Sequence, residues 1–312
     1  MSNTPTPDAP GSGGPAHGLS GVAMTLLTPL HGRAHAAALL PGTAFRDPAA
    51  ASELAATGYR APEVLTDRGN ALGPVHRAIV FDELTAAFCR EHPDAVVVSA
   101  GIGLDTRAER LAGALPGSVT WLGVDVPDVV ALRARLLPGD LTRVFPASIT
   151  EPGWAQRLLP LVGERRNVLV LTEGVLMYLD PAGLRSFLLS CRTAFPAAEL
   201  VADHPRIALS GLHPIVKATG ARFRSGARGG RGLAAAAPGW EKVSDHRFME
   251  RISLGHRAAC SGCSPPAHRP TPWPGCGPRR RPADARGQQV GRAVSPSRAA
   301  SAGPAAPGRG AG

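Results

Sequence analysis

Residues 95–107 read Ala-Val-Val-Val-Ser-Ala-Gly-Ile-Gly-Leu-Asp-Thr-Arg. The first six are small or branched and uncharged, and two glycines close the run. A segment so short, apolar throughout rather than alternating, is a strand buried on both faces. Such strands belong to parallel sheets, whose crossovers need helices. The rest of the chain supplies them. Helical patterns over 105–115, 127–137, 154–162 and 181–195 separate strand patterns over 120–124, 142–146, 167–172 and 199–203. A helix over 74–91, with Pro74 in its first turn and Ile79, Leu84, Ala87 and Phe88 at helical spacing, precedes the first strand. The expected fold is α/β, a doubly wound and mostly parallel Rossmann-like sheet, with its ligand at the carboxyl ends of the strands.

Composition divides the chain. Residues 254–312 hold nine Arg against Asp284 alone, whereas the first 253 residues hold 25 basic and 23 acidic residues. Of the net charge of +10, +8 therefore belongs to the tail, which argues against a nucleic-acid-binding fold. The only branched aliphatics of the tail are Leu254, Val290 and Val294. It reads as disordered, as does the Pro, Gly, Ser and Ala rich segment 1–20. The expected folded unit is 21–253, with an N-terminal helical segment over 21–91. No run of about 18 apolar residues marks a membrane span, and the first basic residue is Arg33, so no charged n-region suggests a signal peptide. Five cysteines do not read as a disulfide framework, and a cytoplasmic protein is expected. Cys89 and Cys191 read as small hydrophobes on helices. In the tail, Cys260, Cys263, His268 and Cys276 have irregular spacing and no apolar support, so no metal is expected. Arg279–Arg281 reads as a solvated charge run.

The glycine turn after the first strand lets a ligand approach the backbone closely, although an ordinary βα turn has the same appearance. Thr106 and Glu109 have capping-box spacing. The second strand ends in Asp125, 24 residues after Gly101, where a carboxylate accepts both hydroxyls of an adenosine ribose. The competing reading of Asp125 is a helix N-cap before Pro127. A dinucleotide pyrophosphate would meet Asp105 and be repelled. A cofactor carrying a sulfonium and an ammonium would not, which favours S-adenosylmethionine over a nicotinamide.

Val97-Val-Ser-Ala-Gly-Ile-Gly-Leu-Asp-Thr-Arg107 and Thr172-Glu-Gly-Val-Leu-Met-Tyr-Leu179 resemble motifs of the leucine carboxyl methyltransferase superfamily. Val124-Asp-Val-Pro-Asp-Val-Val130 is similar to its turn after the second strand. Thr25-Leu-Leu-Thr-Pro-Leu-His-Gly-Arg-Ala34 and Ala147-Ser-Ile-Thr150, followed by Trp154, resemble its polyketide O-methyltransferase branch, of tetracenomycin type. The resemblance spans about residues 21–253. It implies a class I methyltransferase in which Arg77 pairs the methionine carboxylate and Gly101, Gly103 and Asp105 line the methionine portion. Asp125 would hold the ribose, Ser148 and Ile149 would lie near the adenine, and Glu173 would sit beside the sulfonium and ammonium. Arg33 is implied at the same carboxylate or at the substrate, and Tyr178 at the substrate. The alternatives are a solvated helix-face charge for Arg77 and a buried helix-start tyrosine for Tyr178.

Methyl transfer to a carboxylate needs no base. For a phenol, of pKa about 10, a base is useful, and His204 is the candidate; a surface loop histidine is the other reading. The expected partner is a small-molecule acceptor shaped by residues around 205–240, with no specific nucleic acid and no membrane. The class I sheet ends in an antiparallel pair, and nothing after Arg251–Ser253 reads as able to supply it. A reading-frame shift near Gly255 would explain the composition of the tail. The expectation is a sheet without its terminal strands, and with it a second reading: an impaired protein that binds S-adenosylmethionine without turnover.

Overall fold

The computed structural model describes residues 25–58, 68–205, 222–226, 229–246 and 288–294. The expected zinc decoy, the Arg279–Arg281 run and segment 1–20 lie outside them. Seven strands form one sheet in the order β3-β2-β1-β4-β5-β7-β6. They are β1 (Val96–Ala100), β2 (Thr120–Asp125), β3 (Arg143–Pro146), β4 (Val168–Thr172), β5 (Glu199–Pro205), β6 (Glu241–His246) and β7 (Gln288–Val294). β1 to β5 are mutually parallel, and β7 runs antiparallel to both β5 and β6.

The helices follow the expected alternation. In chain order they are α1 (Leu27–Ala34), α2 (Ala36–Leu39), α3 (Pro48–Thr57), α4 (Arg68–Glu91), α5 (Arg107–Leu111), α6 (Pro127–Leu136), α7 (Leu159–Val162), α8 (Pro181–Ala194) and α9 (Gly229–Ala234). α6 and α8 each begin with a proline in the first turn, and the Asp180 side chain caps α8 by accepting from the Gly183 N–H at 2.7 Å.

The period-two alternation of the strands divides the core into two layers. Val96, Val98, Ala100, Val170 and Leu200 face Trp154, Phe187 and Leu188 on one side. Val97, Leu169, Leu171, Val201 and Val290 face Val80, Phe81 and Phe88 of α4 on the other. A third cluster joins Leu27, Leu30 and Ala50 of the N-terminal helices to Leu104, Leu132 and Leu136. It lays α1 and α3 across the carboxyl end of the sheet.

The structure corrects three expectations. The helix expected to start at Pro74 starts at Arg68 and holds Pro74 in its interior. Gly32 of α1 fits there because a Cβ at Gly32 would lie 2.9 Å from the Ala71 carbonyl and 3.4 Å from Pro74 Cβ. The capping box does not form. The Thr106 hydroxyl donates to Asp47 instead, and Glu109 accepts from the Leu141 N–H. Finally, the terminal strands are present. Gln288–Val294, inside the tail expected to be disordered, forms β7 between β5 and β6. Seven residues suffice there because hydrogen bonding on both edges and the burial of Val290 and Ala293 do the work that composition was expected to do. No helix among the described residues is long and apolar enough to cross a membrane.

Candidate active site

The strand order reverses between β1 and β4, and a cavity of about 350 Å³ opens there at the carboxyl ends. It is lined by the β1–α5 glycine turn, Asp125 and Val126, Ala147–Thr150, Glu173–Val175 and Met177–Leu179. Thr25, Leu26, Pro29 and Arg33 close it from α1 and its approach, Arg77 from α4, and Phe223 from the far side. Arg33, Arg77, Gly101, Gly103, Asp105, Asp125, Ser148, Ile149, Glu173 and Tyr178 thus converge on one cavity. His204 does not line it. Alternation along β5 turns Asp203 toward α4 and its neighbour His204 to the opposite face, where His204 is 3% exposed and packs by Gly291.

The glycine turn is shaped by its own backbone. Gly101 and Gly103 have φ of +72° and +54°, and a Cβ on Gly101 would lie 2.6 Å from the Val175 side chain. Asp125 ties this turn to the end of β2. Its carboxylate accepts from the Gly103 N–H and the Val126 N–H, each at 2.8 Å. Burial raises its pKa above the usual carboxylate value despite these bonds. Arg133 of α6, 1% exposed, supports the turn from beneath by donating to the carbonyls of Gly103 and Asp105.

Under the turn lies a buried ionic lattice that sequence reasoning missed. Arg107 bridges Asp82, Asp105 and Glu173. Arg110 bridges Asp47, Asp82 and Asp105. Arg77 donates from Nε to Glu173 at 2.9 Å and from Nη1 to Asp203 at 3.0 Å. Burial opposes ionisation of Glu173, but Arg77 and Arg107 hold its pKa below the usual value. Burial likewise opposes ionisation of Asp105, and Arg107 and Arg110 hold it well below. The Asp105 charge is therefore compensated within the protein, and the repulsion of a pyrophosphate by this residue is weaker than the sequence alone implied.

Arg33 lines the cavity with its charge already engaged: Nε donates to Asp47 at 2.9 Å and Nη2 to the Leu104 carbonyl at 2.5 Å. It latches α1 onto the glycine turn. Tyr178 meets Phe223 edge to face, with ring centroids 5.4 Å apart. Burial raises the pKa of its phenol. Cys89 and Cys191 are buried and free, as expected, and the described residues contain no cluster of metal-ligating side chains. The lattice partners Asp47, Asp82 and Asp203 left no local signal.

The leucine carboxyl methyltransferase family matches residues 31–190. The chain is 33% identical over 240 residues to the tetracenomycin polyketide synthesis O-methyltransferase TcmP of Streptomyces glaucescens, covering 76% of this chain and 84% of that protein. Among solved structures, it is similar to a SAM-dependent methyltransferase from Anabaena variabilis, with 11% identity, TM-score 0.44, and 71% and 85% of the two chains covered. It is also similar to the N-methyltransferase NodS from Bradyrhizobium japonicum in complex with S-adenosyl-L-homocysteine, with 12% identity, TM-score 0.43, and 80% and 100% covered. With the family matched over more than half its length and a relative above 30% identity, the chain belongs to the leucine carboxyl methyltransferase family.

Proposed function

We propose that the chain is an S-adenosylmethionine-dependent O-methyltransferase acting in the cytoplasm on a carboxylate or hydroxyl of a polyketide-like secondary metabolite. The observation that carries this reading is the pairing of two anchors on one cavity: a carboxylate, Asp125, at the end of β2, and a guanidinium, Arg77, over the end of β4. Family membership and the likeness to an O-methyltransferase of polyketide synthesis support it.

The residues present fit the donor. About 350 Å³ lies within the range of small-molecule sites, roughly 300–1,000 Å³. The glycines leave room where any Cβ would collide with Val175 or Leu26. Asp125 offers carboxylate oxygens to ribose hydroxyls, Arg77 offers N–H donors to the amino-acid carboxylate, and Glu173 offers negative charge to the cationic groups. When bound, the donor would supply an electrophilic methyl group: the acceptor oxygen gains a C–O bond in line as the C–S bond breaks, and the neutral thioether S-adenosylhomocysteine leaves.

What the protein adds is alignment and exclusion of water. Leu26, Pro29, Met177, Leu179 and Phe223 add apolar lining to the cavity, and Phe223 with Tyr178 offers aromatic edges to a flat acceptor. The described lining contains no histidine or lysine. Asp105 and Glu173 are held ionised by arginines and are weak bases, and the Tyr178 phenol stays protonated at neutral pH. This lining suits an acceptor that arrives already ionised, so a carboxylate is favoured over a phenol. The impaired-protein alternative rested on missing terminal strands, and β6 and β7 remove that ground.

The test is transfer of a radiolabelled methyl group from the donor to aromatic polyketide acids and to phenols of the same ring system. The expected product is an ester, recognised by release of labelled methanol in mild base. Donor binding without transfer to either acceptor class would count against the assignment.

A further inference from the structure

The geometry points to Asp203 as a positioning residue that sets affinity for the amino-acid end of the donor without touching it. This rests on the donor reading above. Asp203 is 1% exposed and is not part of the cavity wall. Its two oxygens serve two different elements. Oδ2 accepts from Arg77 Nη1 at 3.0 Å, and Oδ1 accepts from the Gly174 N–H at 2.6 Å. Gly174 has φ +73°, and a Cβ built on it would lie 3.1 Å from Arg77 Nη2, so the guanidinium lies against the bare glycine backbone.

Arg77 Nε is in turn bound to Glu173, the residue before Gly174. The result is a closed ring, Asp203–Arg77–Glu173–Gly174, that locks α4 to the β4 loop through β5. The three cavity-lining members, Arg77, Glu173 and Gly174, are tied together by the one member that does not line it. With Nε and Nη1 engaged, the Nη2 amine is the part of the fork without a partner among the described residues. A guanidinium so fixed presents its donors without reordering a flexible side chain on binding. Val290 of β7, the register partner of Asp203, is fully buried beside this end of β5.

The experiment compares full-length wild type with Asp203→Asn by calorimetry, using S-adenosylhomocysteine and 5′-methylthioadenosine, which lacks the amino-acid portion. The expected result is a roughly 10- to 100-fold weaker grip on S-adenosylhomocysteine, the range for losing a hydrogen bond to a charged group, with methylthioadenosine affinity unchanged. Unchanged methylthioadenosine binding also shows that the variant folds. In an Arg77→Gln background the same substitution should add less than about twofold, because the two act as one unit. Equal weakening of both ligands would mean a general structural role and overturn the assignment. So would no weakening of either, or a full effect in the Arg77→Gln background. If wild type binds neither ligand, the donor reading itself fails, and the role of Asp203 falls with it.

Discussion

Single residues in this molecule carry charge into places that only their partners make tolerable, and Glu53 is the exception. It sits on α3 with 0% exposure, and neither carboxylate oxygen has a hydrogen-bond partner among the described residues. Burial pushes its pKa up to about 8, with Arg33 and Arg133 pulling the other way and Asp47 and Asp105 adding to the rise. The folded state therefore keeps a proton that the unfolded chain releases near the ordinary value of 4.5. The stability contributed by this proton is fully present below about 4.5 and is lost as pH rises toward about 8. Glu53→Gln, neutral at every pH, should match the parent in urea melts at pH 4.5 and exceed it at pH 8.5. A parent-to-variant gap that does not widen with pH would show that Glu53 is already ionised in the fold. Asp125 behaves differently, because its burial is relieved by two backbone N–H donors. Asp125→Ala removes the proposed ribose acceptor, and calorimetry should find donor affinity reduced by at least about tenfold. Unchanged affinity would move the donor away from β2.

At the scale of elements, the glycine turn is held by long-range bonds more than by its own sequence. Asp82 on α4 receives Arg107 and Arg110 from α5, a helix of only five residues with no side-chain cap. Asp82→Ala leaves two buried guanidiniums short of a partner, and about 3 kcal/mol should be lost in a urea melt. The loss should persist in 1 M salt, because screening acts weakly on buried pairs. A surface pair would instead lose little and respond to salt. This is also where the sequence stops being legible. β1, the glycine turn and Asp125 were readable because each is a local pattern: an apolar run, two glycines, an acid at a strand end. Arg77 bonds Asp203 across 126 positions and Arg110 bonds Asp47 across 63. No period or spacing announces such a pair. His204 was misplaced for a related reason. Its position at a strand end was correct, but which face it takes depends on a one-residue alternation that a strand boundary alone does not set.

At the scale of the whole molecule, the seventh strand decides whether the sheet is finished. Gln-Gln-Val-Gly-Arg-Ala-Val has two valines and a glycine and lies amid Pro, Gly and Arg, so composition argued for disorder. In the sheet the same seven residues pair with β5 along their full length and with β6 on the other side. A strand needs little hydrophobicity of its own when both edges are hydrogen-bonded and its inward side chains complete existing layers. Val290 completes the layer of Val97, Leu169, Leu171 and Val201 beneath α4, and Ala293 joins the opposite layer. Arg292 pairs with Glu199 on β5. The two accounts of this segment differ in one measurable consequence. Were it detached from the fold, a charge at position 290 would be solvated and harmless. Within the sheet, Val290→Asp places a carboxylate at 0% exposure beside its register partner Asp203, where Arg77 is already shared between Asp203 and Glu173. The expected cost is at least about 3 kcal/mol in a urea melt, together with weaker donor binding as Arg77 is drawn between competing acids. Wild-type stability in Val290→Asp would place residues 288–294 outside the sheet and leave β5 as an open edge.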